Sequence, residues 1–201
     1  MARPHVTALP PLDEVLRVSA ALDVRFHTLR GDAVVTNKER DFKELFRVLE
    51  ESGTAYALIG GLAVQIWGDE ARTTLDIDVA VEGYDSLPAS SLEAAGFRRL
   101  RRHAHSENWA GPDATPVQFS DDPAFRQAIR SAVVRSFEGG SVRVASATEL
   151  LRSKLRAASD AGRRRSKRMR DLADAQALLE LDPGLAASLT EEERTLLHRA
   201  L

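Results

Sequence analysis

Two carboxylates separated by one residue, Asp76 and Asp78, are the side chains of this sequence best placed to hold a metal ion. Apolar and polar residues alternate from 74 to 81, which predicts a β-strand with both carboxylates on one face. Carboxylates in that arrangement lie close enough to share a divalent cation, Mg²⁺ or Mn²⁺. The same alternation also occurs on half-exposed strands without a metal, so the neighbouring residues must decide between the two interpretations.

A pair of glycines, Gly60 and Gly61, follows a short apolar run at 56–59 and precedes a helical pattern that ends at Gly68. Bare backbone at the start of a helix lets a phosphate approach the amide N–H groups, and the helix dipole favours negative charge there. The alternative is a tight turn that uses glycine only for its backbone freedom. The first interpretation predicts that both glycines contact the phosphates of a nucleotide.

The run from Leu58 to Val79 resembles the signature of the DNA polymerase β-like nucleotidyltransferase superfamily, in which a Gly-Gly or Gly-Ser turn, a short helix and Asp-x-Asp follow one another. The form with Arg72-x-Thr74 before the aspartates is similar to AbiEii-type and related MenT-type toxin nucleotidyltransferases, and the similarity extends over about residues 38–181. The resemblance implies an α+β fold, α/β-like in character. In it a small mixed β-sheet nucleotidyltransferase core is flanked by helices and followed by a C-terminal helical segment.

The resemblance also implies a set of site residues. Asp76 and Asp78 would coordinate Mg²⁺ bound to a nucleoside triphosphate (NTP), and Lys154 and Asp171 would complete the catalytic set. The nucleotide-binding residues implied by the motif are Gly60, Gly61, Arg72, Thr74 and Gln118.

Gln118 departs from the pattern of many polymerase β-like enzymes, which place a third carboxylate on a later strand. A neutral carboxamide cannot accept a proton as a base. Either Asp121 or Asp122 therefore reaches the site, or the enzyme works with fewer carboxylates, or its activity has been lost.

Lys154 and Asp171 also stand out from the residue pattern alone. Lys154 falls within the apolar stripe of the helix that follows Ser146, where a charge needs a partner or a route to solvent. Asp171 similarly lies beside apolar residues, whereas Asp174 falls toward the polar edge of its helix. An ion pair between Lys154 and Asp171 would explain both placements.

Two basic runs are candidate phosphate-binding surfaces, although 28 Lys and Arg against 30 Asp and Glu give no overall attraction to nucleic acid. Six positive charges fall within 162–170 and four arginines within 98–102. Each run suits either an RNA backbone or an ordinary solvated surface. His103 and His105 have the spacing of metal ligands on a strand but lack a third partner, and Trp109 would stack on a base or pack within its own domain.

The coarse organisation predicts three segments. Residues 1–36 form an N-terminal extension, a helix from residue 12 followed by a β-prone stretch at 24–29 that suits a hairpin. Residues 37–145 form the core. It begins with a helix capped by Thr36 and Glu39, and it contains a helix at 86–98 and strands at 116–119 and 141–144. Residues 146–201 form the C-terminal helical segment, with capping boxes at Ser146 and Thr190.

The predicted function is metal-dependent transfer of a nucleotide from an NTP to an acceptor hydroxyl, the acceptor being RNA such as a tRNA 3′ end. The protein would act as the toxin of a pair with a cognate antitoxin as partner. The alternatives are an antibiotic-type small-molecule nucleotidyltransferase and a nucleotide-binding module that has lost catalysis. No cysteine is present and no apolar run suits a signal peptide or membrane span, so we expect a cytoplasmic protein without a membrane partner.

Overall fold

A seven-stranded mixed β-sheet flanked by helices forms the centre of the fold, in a computed structural model that describes residues 9–31, 37–68 and 72–200. The strands are β1 Tyr56–Ile59, β2 Ile77–Val81, β3 Arg98–Arg102, β4 Glu107–Ala110, β5 Pro116–Ser120, β6 Val133–Phe137 and β7 Gly140–Val144. The α-helices are α1 Leu12–Arg30, α2 Lys38–Glu51, α3 Gly60–Trp67, α4 Ala89–Ala94, α5 Arg126–Arg130, α6 Ala147–Ser159, α7 Arg165–Leu181 and α8 Glu191–Ala200. Short 3₁₀ helices lie at Tyr84–Ser86, Pro123–Phe125 and Pro183–Ser188. This architecture confirms the predicted α+β fold class.

The strand order is β3-β4-β5-β2-β1-β7-β6, so β1 and β2 lie near the middle of the sheet. Strands β1 and β2 are antiparallel, whereas β1 with β7 and β2 with β5 are parallel. All four residues of β1 are buried, which explains why its sequence is a continuous apolar run without alternation. The central pair therefore gives a rigid platform at the point where the glycine turn and the aspartates emerge.

Helix α2 packs its apolar stripe against the sheet. The predicted stripe of Phe42, Leu45, Phe46 and Leu49 is fully buried. The cap is Asn37, whose side chain accepts a hydrogen bond from the Arg40 backbone N–H. The proposed cap Thr36 lies outside the described residues.

Of the two capping boxes predicted in the C-terminal segment, the one at Thr190 is confirmed in both of its hydrogen bonds and the one at Ser146 in its N-cap hydrogen bond. The Ser146 side chain accepts from the backbone N–H of Glu149 at the start of α6. Thr190 and Glu193 exchange reciprocal side-chain and backbone hydrogen bonds at the start of α8.

The predicted β-prone stretch at 24–29 is wrong, because helix α1 continues to Arg30 and ends at Gly31 in the left-handed conformation. Its buried positions are Leu12, Leu16, Ser19 and Asp23, which repeat at helical spacing. Two of these four residues are polar, so hydrophobic periodicity alone does not detect the second half of the helix.

Other boundaries also differ from the predictions. The strand predicted from 74 begins at Ile77, and the helix predicted over 86–98 is reduced to the 3₁₀ turn at Tyr84–Ser86 and the short α4. Strands β3, β4 and β6 were not predicted. β3 is an exposed run of arginines at the sheet edge, a composition that gives no alternating signal. None of the helices in the described ranges combines the length and apolarity needed to cross a bilayer.

A buried charge cluster joins α1 to the core. Lys38, at the start of α2, is fully buried, forms an ion pair with Asp23 and donates hydrogen bonds to Ser19 Oγ and to the Thr74 carbonyl. Burial raises the pKa of Asp23 and lowers the pKa of Lys38, and the pairing opposes both effects. Thr74 lies two residues before Asp76, so this cluster connects α1 to the segment that carries the first aspartate.

We predict that Lys38→Met lowers the free energy of unfolding by about 3–5 kcal/mol, because it leaves the buried Asp23 carboxylate without a counter-charge. Adding Asp23→Leu should recover most of this loss, since both charges are then removed together. Urea denaturation of the two variants measures the difference.

Lys43→Met, in the same helix, is the matched control. Its ion pairs with Asp13 and Glu39 are partly exposed, so the expected cost is below about 1 kcal/mol. Equal stability of the Lys38 single and double variants would contradict the role assigned to the buried pair.

Candidate active site

The glycine turn packs directly against the carboxylate of Asp78. Ile59, the last residue of β1, pairs with Asp78 of β2. Gly60, the first residue after β1, therefore lies over the Asp78 side chain. Gly60 has φ +72°, and a Cβ added there would overlap the carboxylate, at 2.7 Å from the Asp78 Cγ. Only glycine fits this position, both for its backbone conformation and for the space available.

The segment at 72–76 is held against the same turn. A Cβ on Gly61 would lie 2.8 Å from the Thr74 Oγ1 and 2.9 Å from the Arg72 Nη2. Gln65 Nε2 donates to the Arg72 carbonyl at 2.9 Å, and Lys38 donates to the Thr74 carbonyl. The backbone leading to Asp76 is therefore fixed by buried side chains on either side of the turn.

Asp76 and Asp78 line one cleft of about 780 Å³ together with Gly61, which confirms that the two carboxylates project to a common side near the glycines. Asp76 is exposed and precedes β2, whereas Asp78 is largely buried within it. Burial, followed by the negative charge of Asp76, raises the pKa of Asp78 to about 7, against the opposing charges of Lys154, Arg163 and Lys167. The pair thus concentrates negative charge that a cation would relieve.

The facing wall of the cleft is an ion-pair network between α6 and α7. Lys154 Nζ lies 3.3 Å from the Asp171 Oδ1 and 2.7 Å from the Asp174 Oδ2. Arg163 pairs with Asp171 at 2.7 Å, and Arg72 pairs with Asp174 at 2.8 Å. The predicted ion pair between Lys154 and Asp171 is present, as the centre of a chain of alternating charges that ends at the glycine turn.

The placement of Asp174 at a polar edge is wrong. Asp174 is 5% exposed and links Lys154 to Arg72. The sequence did contain a signal for the burial of Asp174, because Asp171 and Asp174 stand three residues apart and therefore share one face of α7. The partner that explains its burial, Arg72, lies about a hundred residues earlier in the chain.

Part of the basic run at 162–170 faces the cleft. Lys167 and Arg170 line it with exposed side chains, beside Arg163. Arg168 instead donates to the Ala158 carbonyl at 2.7 Å. The run is therefore divided between cations available to phosphates and one that ties α7 to α6.

Gln118 lies beside Asp78 on the parallel neighbour β5, as its direct register partner. The residues that line the cleft include neither Gln118 nor Asp121 nor Asp122. Asp121 Oδ1 lies 3.0 Å from His105 Nδ1, and Asp122 accepts from the Ala124 backbone N–H. Gln118 thus occupies the position next to the aspartate pair, and the two candidate replacements are engaged elsewhere.

The positions of His103, His105 and Trp109 decide between the alternatives that the sequence left open for them. His103 and His105 lie in the turn between β3 and β4 and not on a strand, so their alternate spacing does not aim both rings at one point. Trp109 is 1% exposed, packs edge-to-face on Phe119 and donates to Glu107, which confirms the packing alternative over base stacking.

The donor set suits a divalent ion that keeps open positions. Within the described residues no group of three or more His, Cys, Asp or Glu side chains has metal-binding geometry. Mg²⁺ is commonly held by one or two carboxylates, with substrate phosphates and water as its other ligands. Asp76 and Asp78 match that requirement, since they adjoin a turn and a set of cations able to receive phosphates.

Phe26 is a cleft residue that sequence reasoning missed. It reaches the cleft wall from α1, in the stretch predicted as β-prone. No pattern within residues 24–29 marks it, because its position depends on how α1 packs on the core.

Comparison with solved structures shows that the fold is shared with nucleotidyltransferases. JHP933 from Helicobacter pylori superposes with a TM-score of 0.54 at 19% identity, over 81% of this chain and 72% of that one. The antibiotic-resistance factor ANT(2'')-Ia gives 0.52 at 15% identity, over 80% and 89% of the two chains. The lincosamide antibiotic adenylyltransferase LnuA, in a lincomycin-bound structure, gives 0.51 at 15% identity, over 71% and 97%.

No curated protein sequence matches the chain significantly. A model of the family described as nucleotidyl transferase AbiEii toxin, type IV toxin–antitoxin system, matches residues 95–200. The matched range contains β3 to β7 and the network residues of α6 and α7, while the glycine turn and the aspartate pair precede it. Because the match covers more than half of a chain with the nucleotidyltransferase fold, this protein belongs to the AbiEii family of nucleotidyltransferases.

Proposed function

We propose that this nucleotidyltransferase is metal-dependent and transfers a nucleotide from an NTP to the hydroxyl of an RNA 3′ end. The observation that carries the proposal is the packing of the Asp78 carboxylate against Gly60, with Asp76 at the mouth of the same cleft. In this arrangement two carboxylates able to hold a cation lie beside bare backbone that phosphates can approach, which supports the proposal.

Different residues of the cleft would bind different parts of a triphosphate. Arg163, Lys167 and Arg170 supply positive charge for the β- and γ-phosphates, and the Gly60–Gly61 turn supplies backbone N–H groups. The acceptor hydroxyl oxygen forms a bond to the α-phosphorus and loses its proton to solvent, and the bond to the β-phosphate breaks to release pyrophosphate. A divalent ion bound to Asp76 and Asp78 would neutralise charge at the α-phosphate. Catalysis of this kind depends on positioning and electrostatic stabilisation more than on proton transfer.

The network of Lys154, Asp171 and Asp174 has a positioning role in this proposal. Lys154 bridges both aspartates, so it holds α6 against α7 and keeps the cations of α7 directed at the cleft. Arg72 extends the bracing to the glycine turn. Gln118 can orient the acceptor or the ribose by hydrogen bonds, but it does not take a proton.

The toxin role and the antitoxin partner follow from the description of the family. Under this proposal, expression of the isolated chain slows growth, Asp76→Ala relieves the effect, and a cognate antitoxin restrains the active protein.

A second candidate acceptor is a small molecule such as an antibiotic, favoured by the structural likeness to ANT(2'')-Ia and LnuA. It predicts drug resistance without a growth defect. Incubation of the protein with each labelled NTP and Mg²⁺ or Mn²⁺ against total RNA, aminoglycosides and lincosamides separates the two. Nucleotide binding without transfer to any acceptor would instead indicate a module that has lost catalysis, the outcome suggested by Gln118.

We predict that Asp76→Asn and Asp78→Asn each lower the transfer rate on the order of a thousandfold, because each removes a ligand of the ion that offsets several kcal/mol of charge in the transition state. Labelled-nucleotide incorporation measures the rate. Asp85→Asn, an exposed carboxylate outside the cleft, should leave it unchanged. Wild-type rates in the Asp78 variant would refute the assigned role.

We also predict that Asp78 lowers the stability of the metal-free protein by an amount that depends on pH. Its pKa is about 7 in the folded state and about 3.9 in an unfolded chain, so the folded state binds the proton more tightly. The stabilising contribution is full below about pH 4 and is lost as the pH rises through 7. Asp78→Asn lacks this dependence, so its melting temperature should exceed that of wild type by a few degrees at pH 8.

Differential scanning fluorimetry between pH 4 and pH 8 measures this difference. Mn²⁺ at pH 8 should raise the melting temperature of wild type and not that of Asp78→Asn. Parallel melting curves for the two proteins across the pH range would contradict the assignment.

A further inference from the structure

The edge strand β3 carries four arginines, and the register of the sheet sorts them onto two faces. The cross-strand partners are Arg98 with Ala110, Arg99 with Trp109, Arg101 with Asn108 and Arg102 with Glu107. Residues three apart on a regular strand point to opposite faces. The register shift between Arg99 and Arg101 cancels this effect, so that Arg98 and Arg101 share one face and Arg99 and Arg102 share the other.

The side chains of Arg99 and Arg102 contact other residues of the domain. Both lie beside the buried carboxylate of Glu107, at 3.3 Å and 3.5 Å. Their guanidinium groups also stack on rings, Arg99 over Trp109 and Arg102 over Tyr84. Both arginines of this face of β3 are therefore held by contacts within the domain, and Glu107 offsets part of their charge.

Arg98 and Arg101 lie on the face that carries the aspartate pair. Asp78 pairs with Gln118, Gln118 with Asn108, and Asn108 with Arg101, and directly paired residues project from the same face of a sheet. A polar row thus runs from the aspartate across three strand spacings, about 15 Å, to the edge arginines.

The two arginines at the end of this row are available to a ligand. Both are exposed, and neither forms an ion pair with any carboxylate in the described ranges. Pro116 of β5 lines the cleft and pairs with Ala110 of β4. Ala110 in turn pairs with Arg98 of β3. The cleft and the edge arginines are therefore joined along β5 and β4.

We propose that Gln118, Asn108, Arg98 and Arg101 form an acceptor track for a single RNA strand. Its 3′ hydroxyl would lie at the aspartate pair, and its preceding phosphates would pass over the arginines of β3. This inference rests on the proposed nucleotidyl transfer and deepens it by assigning the residues that bind the acceptor. Carboxamides both donate and accept hydrogen bonds, which suits ribose hydroxyls and base edges, and guanidinium groups suit phosphates.

The charge of the track also discriminates between acceptor classes. Two unneutralised arginines attract a polyanion and repel a polycation such as an aminoglycoside.

The experiment measures binding of a short fluorescent single-stranded RNA by anisotropy over a range of salt concentrations. We compare wild type, the Arg98→Ala/Arg101→Ala double variant and Arg99→Ala, which removes one arginine charge from the opposite face of the same strand. Loss of two single-strand phosphate contacts should lower the slope of log K against log salt by about 1.4. It should also weaken binding about tenfold, while Arg99→Ala stays close to wild type.

Calorimetry with Mn²⁺ and a non-hydrolysable NTP analogue, on the same proteins, keeps this inference separate from the proposed function. Failure of wild type to bind the nucleotide would remove the proposed function itself. The proposed function would stand and the acceptor track would be overturned if every variant binds the nucleotide and the double variant also keeps the RNA affinity and salt slope of wild type. Absence of salt-dependent RNA binding by wild type, or an equal loss in Arg99→Ala, would overturn it as well.

Discussion

The contact between the backbone of Gly60 and the carboxylate of Asp78 determines the chemistry available to the cleft. The strand pairing that buries β1 and β2 brings these two residues together, and the Asp78 carboxylate occupies the space that a side chain at position 60 would fill. Asp78 is thereby desolvated beside a second carboxylate, and its pKa rises to about 7. The core of the sheet thus holds two carboxylates whose repulsion a bound cation would relieve, as the proposed function requires.

Among the residues that the structure describes, positive charge surrounds that pair without forming an ion pair with either carboxylate. Lys154 is held by Asp171 and Asp174, and Arg72 joins this network to the glycine turn. On the opposite side of the turn, Lys38 fixes the Thr74 carbonyl and is itself held by α1. We therefore propose that 37–145 and 146–201 act as core and C-terminal segment, as the sequence suggests, and that α1 functions as part of the core rather than as a separate extension.

The sequence predicts those features whose signal is local. The β1 run, the glycine turn, the α2 stripe, the N-cap at Ser146 and the capping box at Thr190 follow from neighbouring residues, and the structure confirms them. The pair of aspartates is recognisable because its spacing matches a strand, even though the strand begins only at Ile77.

The features that escaped prediction depend on partners distant in the chain. Asp174 has the pattern of a surface residue until Arg72 is placed beside it. The end of α1 has a β-prone sequence at 24–29, and the buried residues that precede it, Ser19 and Asp23, are polar because they contact Lys38 from the core. The arginines of β3 show no alternation, since a bulge and the carboxylate of Glu107 decide which of them face the site. Tertiary pairing supplies information that no single segment contains.

The central claim is tested most directly by Mn²⁺ and nucleotide binding to Gly60→Ala, measured by calorimetry and compared with Gly53→Ala. Both glycines have positive φ, but a Cβ on Gly53 meets no atom within 4 Å, whereas one on Gly60 overlaps the Asp78 carboxylate. The account predicts that Gly53→Ala loses about 1 kcal/mol of stability and binds like wild type, while Gly60→Ala stays folded and no longer binds Mn²⁺ with nucleotide. Binding by Gly60→Ala equal to that of Gly53→Ala would contradict it.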